Sequence, residues 1–94
     1  MEEIKFSVEY HRFVVREDIP RIAPERRLKI KRAIEDKLTT QPEKFGKPLR
    51  KSLRGYRKLR VGDYRIIFNI AGSRVRIFVM QHRNVVYRNA SARL

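Results

Sequence analysis

Tyr56-Arg57-Lys58-Leu59-Arg60-Val61-Gly62-Asp63-Tyr64-Arg65-Ile66-Ile67-Phe68-Asn69-Ile70-Ala71-Gly72-Ser73-Arg74-Val75-Arg76-Ile77-Phe78-Val79-Met80-Gln81-His82 contains three β-rich segments separated by two glycine-bearing breaks. The segments Tyr56 to Val61, Tyr64 to Ala71 and Arg74 to His82 are rich in β-branched and aromatic residues, which favour strands. Val61-Gly62-Asp63 and Ala71-Gly72-Ser73 are short connections whose glycine can take positive φ. The stretch therefore predicts an antiparallel three-strand meander. Alternation then assigns faces. Burying Leu59 and Val61, then Tyr64, Ile66, Phe68 and Ile70, then Val75, Ile77 and Val79 turns the other set outward. That open side is expected to carry Tyr56, Lys58, Arg60, Arg65, Arg76, Phe78, Met80 and His82, a basic surface with aromatic and apolar groups between the charges.

Upstream, Ile4 to Tyr10 alternates apolar and polar residues and reads as a strand with one wet face. His11 to Ile19 is spaced like a short helix, and Pro20 predicts that it stops by Ile19. A second helix starts at Pro24, with Ala23, Ile30, Ala33, Ile34 and Leu38 on one face and Leu28 opposite. Thr39 to Pro42 ends it, and Phe45-Gly46-Lys47-Pro48-Leu49 reads as linker. Asn84 to Leu94 forms a polar tail or short terminal helix. The expected architecture is α+β in one domain, residues 1–94: an amino-terminal strand, a two-helix hairpin, then the meander. One antiparallel sheet packs helices on one face and leaves the other open.

The 94 residues include 24 Lys and Arg against 10 Asp and Glu, a formal charge of +14. Such a field favours a polyanionic partner, and nucleic acid leads the candidates. The charge is concentrated: Lys47, Arg50, Lys51, Arg54, Arg57, Lys58, Arg60 and Arg65 face the single acid Asp63. Lys47, Arg50, Lys51, Arg54, Arg57, Arg60 and Arg76 are the expected RNA contacts. Without cysteine there is no disulfide, thiolate metal site or cysteine nucleophile. The longest apolar run, Ile77 to Met80, is far short of the roughly 20 residues of a bilayer span. The acidic start Met1-Glu2-Glu3-Ile4 lacks an apolar signal stretch, so the chain reads as cytosolic with no membrane partner.

Binding charge alone performs no chemistry. The acids cluster at the amino end and in the second helix, which argues against a two-metal nuclease or a glycosidase. With only His11 and His82 and no cysteine, neither metal nor cofactor is expected. A ribonuclease can instead let the substrate 2′-hydroxyl attack the adjacent phosphodiester, using one proton acceptor, one donor and cations on the phosphorane. Lys58 between Arg57 and Arg60, together with Arg65, His82, Arg83 and Tyr87, are the candidates for those roles. Asp63, two residues from Arg65, is its expected structural partner. Arg65→Ala is expected to remove activity from a surface position with folding nearly intact.

Lys47-Pro48-Leu49, then Leu53-Arg54-Gly55-Tyr56-Arg57-Lys58-Leu59-Arg60-Val61-Gly62-Asp63-Tyr64-Arg65-Ile66-Ile67-Phe68, with His82-Arg83 and Tyr87 downstream, resembles the RelE/ParE toxin superfamily. The resemblance covers nearly the whole chain and implies a compact microbial RNase-like fold. Members of the RelE branch cleave mRNA in the ribosomal A site without a metal and are silenced by a cognate antitoxin. The resemblance thus implies mRNA, the ribosome and an antitoxin as partners, with a hetero-oligomeric toxin-antitoxin complex. It puts a phosphate-stabilising arginine on Arg65, a strand lysine acting as base on Lys58, a later arginine on Arg83 and a catalytic tyrosine on Tyr87. Tyr56 stands where RelE itself has another lysine, so charge there comes from Arg54 or Arg57 or is missing. The acid and base roles remain divided among Lys58, His82 and Tyr87. A ParE-like gyrase poison without nuclease activity and a non-catalytic RNA-binding module are the competing readings.

Overall fold

A computed structural model describes residues 5–94. Strand β1 (Ser7–Tyr10) leads into a π-helical turn at Val14–Asp18 and a 3-10 turn at Ile19–Arg21. Helix α1 (Pro24–Ala33) runs on through wider π-type turns at Ile34–Leu38. Helix α2 (Pro42–Phe45), strand β2 (Lys47–Pro48) and a 3-10 turn at Lys51–Leu53 follow, then β3 (Arg57–Val61), β4 (Tyr64–Ala71), β5 (Arg74–His82) and α3 (Val86–Arg93). The five strands form one sheet in the order β1-β5-β4-β3-β2.

The α+β architecture and the meander are as expected. Val61 pairs with Tyr64 and Ala71 with Arg74, so both hairpins have two-residue turns. Gly62 and Gly72 sit at φ +59° and +61°, where a side chain would clash with its own backbone. The sheet is not wholly antiparallel. β1 pairs parallel with β5, from Ser7 opposite Arg74 to Tyr10 opposite Ile77. The long helical crossover makes this possible, since parallel neighbours need a connection that returns the chain to the same end of the sheet. Ile4, placed in this strand by the sequence pattern, lies outside the described residues.

The helical layer departs from expectation at its ends. Helical backbone passes through Ile19 (φ −57°, ψ −46°) and ends at Arg21, not before Pro20. Pro20 falls in the first positions of a new turn, where its missing N–H has no partner to lose. In α1 and its continuation Ile30, Ile34 and Leu38 are buried and Leu28 is exposed, as the stripe requires. Ala23 is exposed instead, and Ile22 fills the core position beside it. The expected linker folds as α2 and β2. Pro48 is tolerated in β2 because this is an edge strand. Gly46 is required there: a Cβ would sit 2.3 Å from the fully buried Phe68 ring.

Each face of the sheet carries a core. One packs Val14, Ile22, Ile30, Ile34 and Leu38 against Leu59, Ile66, Phe68, Val75, Ile77 and Met80. The other packs α3, through Val86 and Ala90, with Leu53 against Ile67 and Val79. The face expected to be open is therefore partly covered. Register explains which residues changed sides. Ile67 pairs with Val79 but Phe68 with Ile77, so Phe78 is an extra, bulged residue. One inserted residue inverts the alternation beyond it. Val79 consequently joins the α3 core, while Met80 and His82 turn to the α1 side.

A buried ionic clasp fixes α3. Asp18 is 1% exposed, and Arg93 donates to its two oxygens at 2.8 and 2.7 Å. Met80 N–H and Gln81 Nε2 also donate to Asp18, at 3.0 and 2.8 Å, and Asn89 Nδ2 donates to Gln81 Oε1 at 2.7 Å. Every acceptor position of the carboxylate is thereby used, which is what allows a charge in the interior.

Candidate active site

On the α3 side of the sheet Lys58 of β3 meets the first turn of α3. Arg60 lies directly opposite Arg65, and Lys58 opposite Ile67, so Lys58, Arg60 and Arg65 share one face as alternation required. Val86 and Ala90 press α3 onto Ile67 and Val79, leaving Tyr87 half-buried at the flank. The Lys58 Nζ stands 5.7 Å from the centre of the Tyr87 ring. Among the described residues none of Lys58, Arg60 and Arg65 forms an ion pair with a carboxylate.

Arg65 is buried, 9% exposed, rather than a surface residue. Its partner is not Asp63. Nη1 donates to the carbonyls of Gly62 and Tyr64, at 2.9 and 3.0 Å, which anchors the guanidinium against the β3–β4 turn. Asp63 instead faces Arg83, with Nε 3.9 Å from Oδ1, and its carbonyl accepts the Arg83 N–H at 2.8 Å. Two arginines thus converge on one hairpin, one held by carbonyls and one by an exposed carboxylate.

The remaining candidates divide by location. His82 lies on the α1 side, its ring edge-on to Tyr64 at 5.9 Å and its Nδ1 accepting the Asn84 N–H at 3.2 Å. The sheet separates it from the Lys58–Tyr87 pair. Arg57 is half-buried and donates to the carbonyls of Gly46 and Glu43, at 2.9 and 3.3 Å, which gives it a structural task. Lys47, Arg50, Lys51 and Arg54 are exposed along β2 and the turn after it. Lys51 holds φ +58°, and Ser52 Oγ lies 3.2 Å from Ser91 Oγ, tying this basic turn to α3. Arg76 lies near β1, where Glu9 accepts a hydrogen bond from Arg74 at 3.1 Å and forms an ion pair with Arg76 at 3.7 Å.

Sequence reasoning missed the Asp18–Arg93 clasp. A signal existed: Asp18 is four residues from Val14 and so occupies the buried stripe of its turn. His11 was also set aside. Burial lowers its pKa below the usual imidazole value, aided by the nearby cations Arg93 and Arg12. Its Nδ1 accepts the Phe13 N–H at 3.1 Å, so the neutral ring carries its proton on Nε2. No group of three His, Asp or Glu side chains converges among the described residues. No helix among them is long and apolar enough to cross a membrane.

The sequence profile of the ParE toxin of type II toxin-antitoxin systems, parDE, matches residues 9–87, from β1 to the tyrosine beside Lys58. The chain belongs to the ParE toxin family. This ParE-family protein is a toxin of a type II toxin-antitoxin system, within the RelE/ParE superfamily that its sequence resembles. Its fold is similar to that in the crystal structure of the RelBE2 toxin-antitoxin complex from Mycobacterium tuberculosis, with TM-score 0.79 and 26% identity over 87% of this chain and 95% of that one. A crystal structure of a YafQ mutant from E. coli shares the fold with TM-score 0.55 and 15% identity, over 86% of this toxin and 97% of that chain. No curated protein sequence matches it. Lys58, Arg65, His82, Arg83 and Tyr87 all fall within the span matched by the ParE profile, whereas Arg93 lies beyond it.

Proposed function

We propose that this toxin is a metal-free endoribonuclease that cuts mRNA in the ribosomal A site of the cytoplasm. The observation that carries the reading is the Lys58 Nζ 5.7 Å from the centre of the Tyr87 ring, on a face where Arg60 and Arg65 add charge without carboxylate partners. Lys58 acts as the general base and accepts the proton of the substrate 2′-hydroxyl. The 2′-oxygen then attacks the adjacent phosphorus, the bond to the 5′-oxygen breaks, and Tyr87 protonates that leaving oxygen. The products are a 2′,3′-cyclic phosphate and a 5′-hydroxyl. Arg65 and Arg83 stabilise the negative charge on the phosphorane, a role suited to arginine because its fork keeps its charge at every working pH. Arg60 and the exposed Lys47, Arg50, Lys51 and Arg54 hold the flanking backbone. A cognate antitoxin is the regulating partner, by analogy with the RelBE2 complex.

Primer extension on mRNA from briefly induced cells tests this. Wild type is expected to create new ends within translated frames, and Lys58→Ala and Tyr87→Phe to lose them. Arg65→Ala is a weaker control because it also strips the Gly62 and Tyr64 carbonyls of a donor that anchors the β3–β4 turn. Growth arrest with intact mRNA overturns the nuclease reading. Gyrase-linked DNA breaks in those cells would support the gyrase-poison alternative, which the family's ParE name favours.

A further inference from the structure

A cleft of about 230 Å³ opens on the α3 side of the sheet at its β1 end. It is smaller than the roughly 300–1,000 Å³ of pockets for drug-sized ligands, and suits one flat ring system. Aromatic groups dominate one wall. Tyr56 and Phe78 stack with centroids 5.0 Å apart and planes inclined by 28°. His11 meets the Phe78 ring edge-on at 5.5 Å. Both stacked rings are half-buried, so each keeps exposed surface after the packing that holds it. The bulge has made this arrangement, since the extra residue in β5 is Phe78 itself.

The rest of the lining is polar and carries one cation, Arg76, beside the carboxylate of Glu9. Arg76 lines the cleft with Asn69, its cross-strand neighbour. Glu9 also lines it, and its carboxylate is shared between Arg76 and Arg74, which stands outside the cleft. His11, whose Nδ1 accepts the Phe13 N–H, offers an Nε2–H donor. Aromatic faces, a cation and amide groups together are the chemistry that recognises an unpaired nucleotide. The cleft also continues the candidate active site: Tyr56 stands just before β3, two residues ahead of Lys58 and about 6–7 Å along the chain.

We propose that this cleft is a nucleobase subsite for single-stranded RNA, resting on the reading of RNA as the substrate. A base next to the cut bond stacks on the Tyr56–Phe78 pair, and Arg76 contacts its phosphate.

The test is a fluorescence titration of the full chain with a short single-stranded RNA carrying 2-aminopurine and 2′-O-methylated throughout, so that it cannot be cut. Wild type and Tyr56→Phe are expected to quench the probe. Tyr56→Ala is expected to bind roughly 5- to 150-fold more weakly. Arg76→Gln, an exposed change, should reduce the slope of log affinity against log salt by about one. If Tyr56→Ala fails to fold, the wild-type quench and the Arg76→Gln slope decide. An unquenched probe with wild type, an unchanged affinity in folded Tyr56→Ala, or an unchanged slope in Arg76→Gln overturns the subsite. Cut mRNA in cells without quenching here removes the subsite and leaves the nuclease reading. Quenching with intact cellular mRNA does the reverse.

Discussion

Asp18→Ala should be among the most damaging single changes in this toxin, and the structure supplies the magnitude. The carboxylate is 1% exposed and accepts from Arg93 twice, from Met80 N–H and from Gln81 Nε2. Its removal leaves the Arg93 guanidinium, 10% exposed, without a counter-charge and the buried Met80 N–H without an acceptor. Breaking one partner of such a pair costs about 3–5 kcal/mol. A domain of this size has about 5–15 kcal/mol of stability in all. With roughly 4–8 °C per kcal/mol, the melting temperature falls by at least about 12 °C. Urea denaturation followed by circular dichroism reads the loss as a lower midpoint with unchanged slope. A double-mutant cycle of Asp18→Asn with Arg93→Met should return a coupling above about 1 kcal/mol. If Asp18→Ala loses less than about 1 kcal/mol, or if the pair is additive, the clasp is not what holds α3.

Lys58→Ala and Tyr87→Phe should lower RNA cleavage by about 10²–10⁴-fold while leaving the urea midpoint near wild type, as general acid–base groups do when removed; single-turnover cleavage on programmed ribosomes measures it. Gly46→Ala should destabilise by about 1–3 kcal/mol, because the new methyl meets the buried Phe68 ring and the Pro42 carbonyl; a thermal melt equal to wild type contradicts the packing described. His11 has a folded-state pKa below its unfolded value of 6.5, so the unfolded chain binds the proton more readily. Its contribution to stability is present above that value and is lost as the pH falls from there through the lower folded-state value. His11→Asn should therefore flatten the stability profile between neutral and mildly acidic pH, and an unchanged slope in urea titrations at several pH values counts against the assignment.

Much of the fold was legible because its determinants are local. The meander rests on alternation within each strand and on glycines at the two turns, all close in sequence to the pairs they create. The α1 stripe of Ile30, Ile34 and Leu38 follows from helical period alone. The side of the sheet carrying Lys58, Arg60 and Arg65 was legible for the same reason, and so was the overall positive charge. The assignment failed where one residue broke the period. Nothing in Ile77-Phe78-Val79-Met80 marks which apolar residue is bulged, and the consequence was to put Met80 and His82 on the wrong side.

By itself the sequence determined the strand and helix periods, the turns, the basic field and the family motif, since each is carried by neighbouring residues. Only the tertiary structure decided the parallel pairing of β1 with β5, the second core beneath α3, the transfer of Asp63 from Arg65 to Arg83, and the Asp18–Arg93 clasp. Most of these depend on groups far apart along the chain, and the Asp63 exchange on which way the Arg65 side chain turns. Asp18 and Arg93 are 75 positions apart. No local propensity encodes such a meeting. It is selected when the folded interior can desolvate both charges only by joining them.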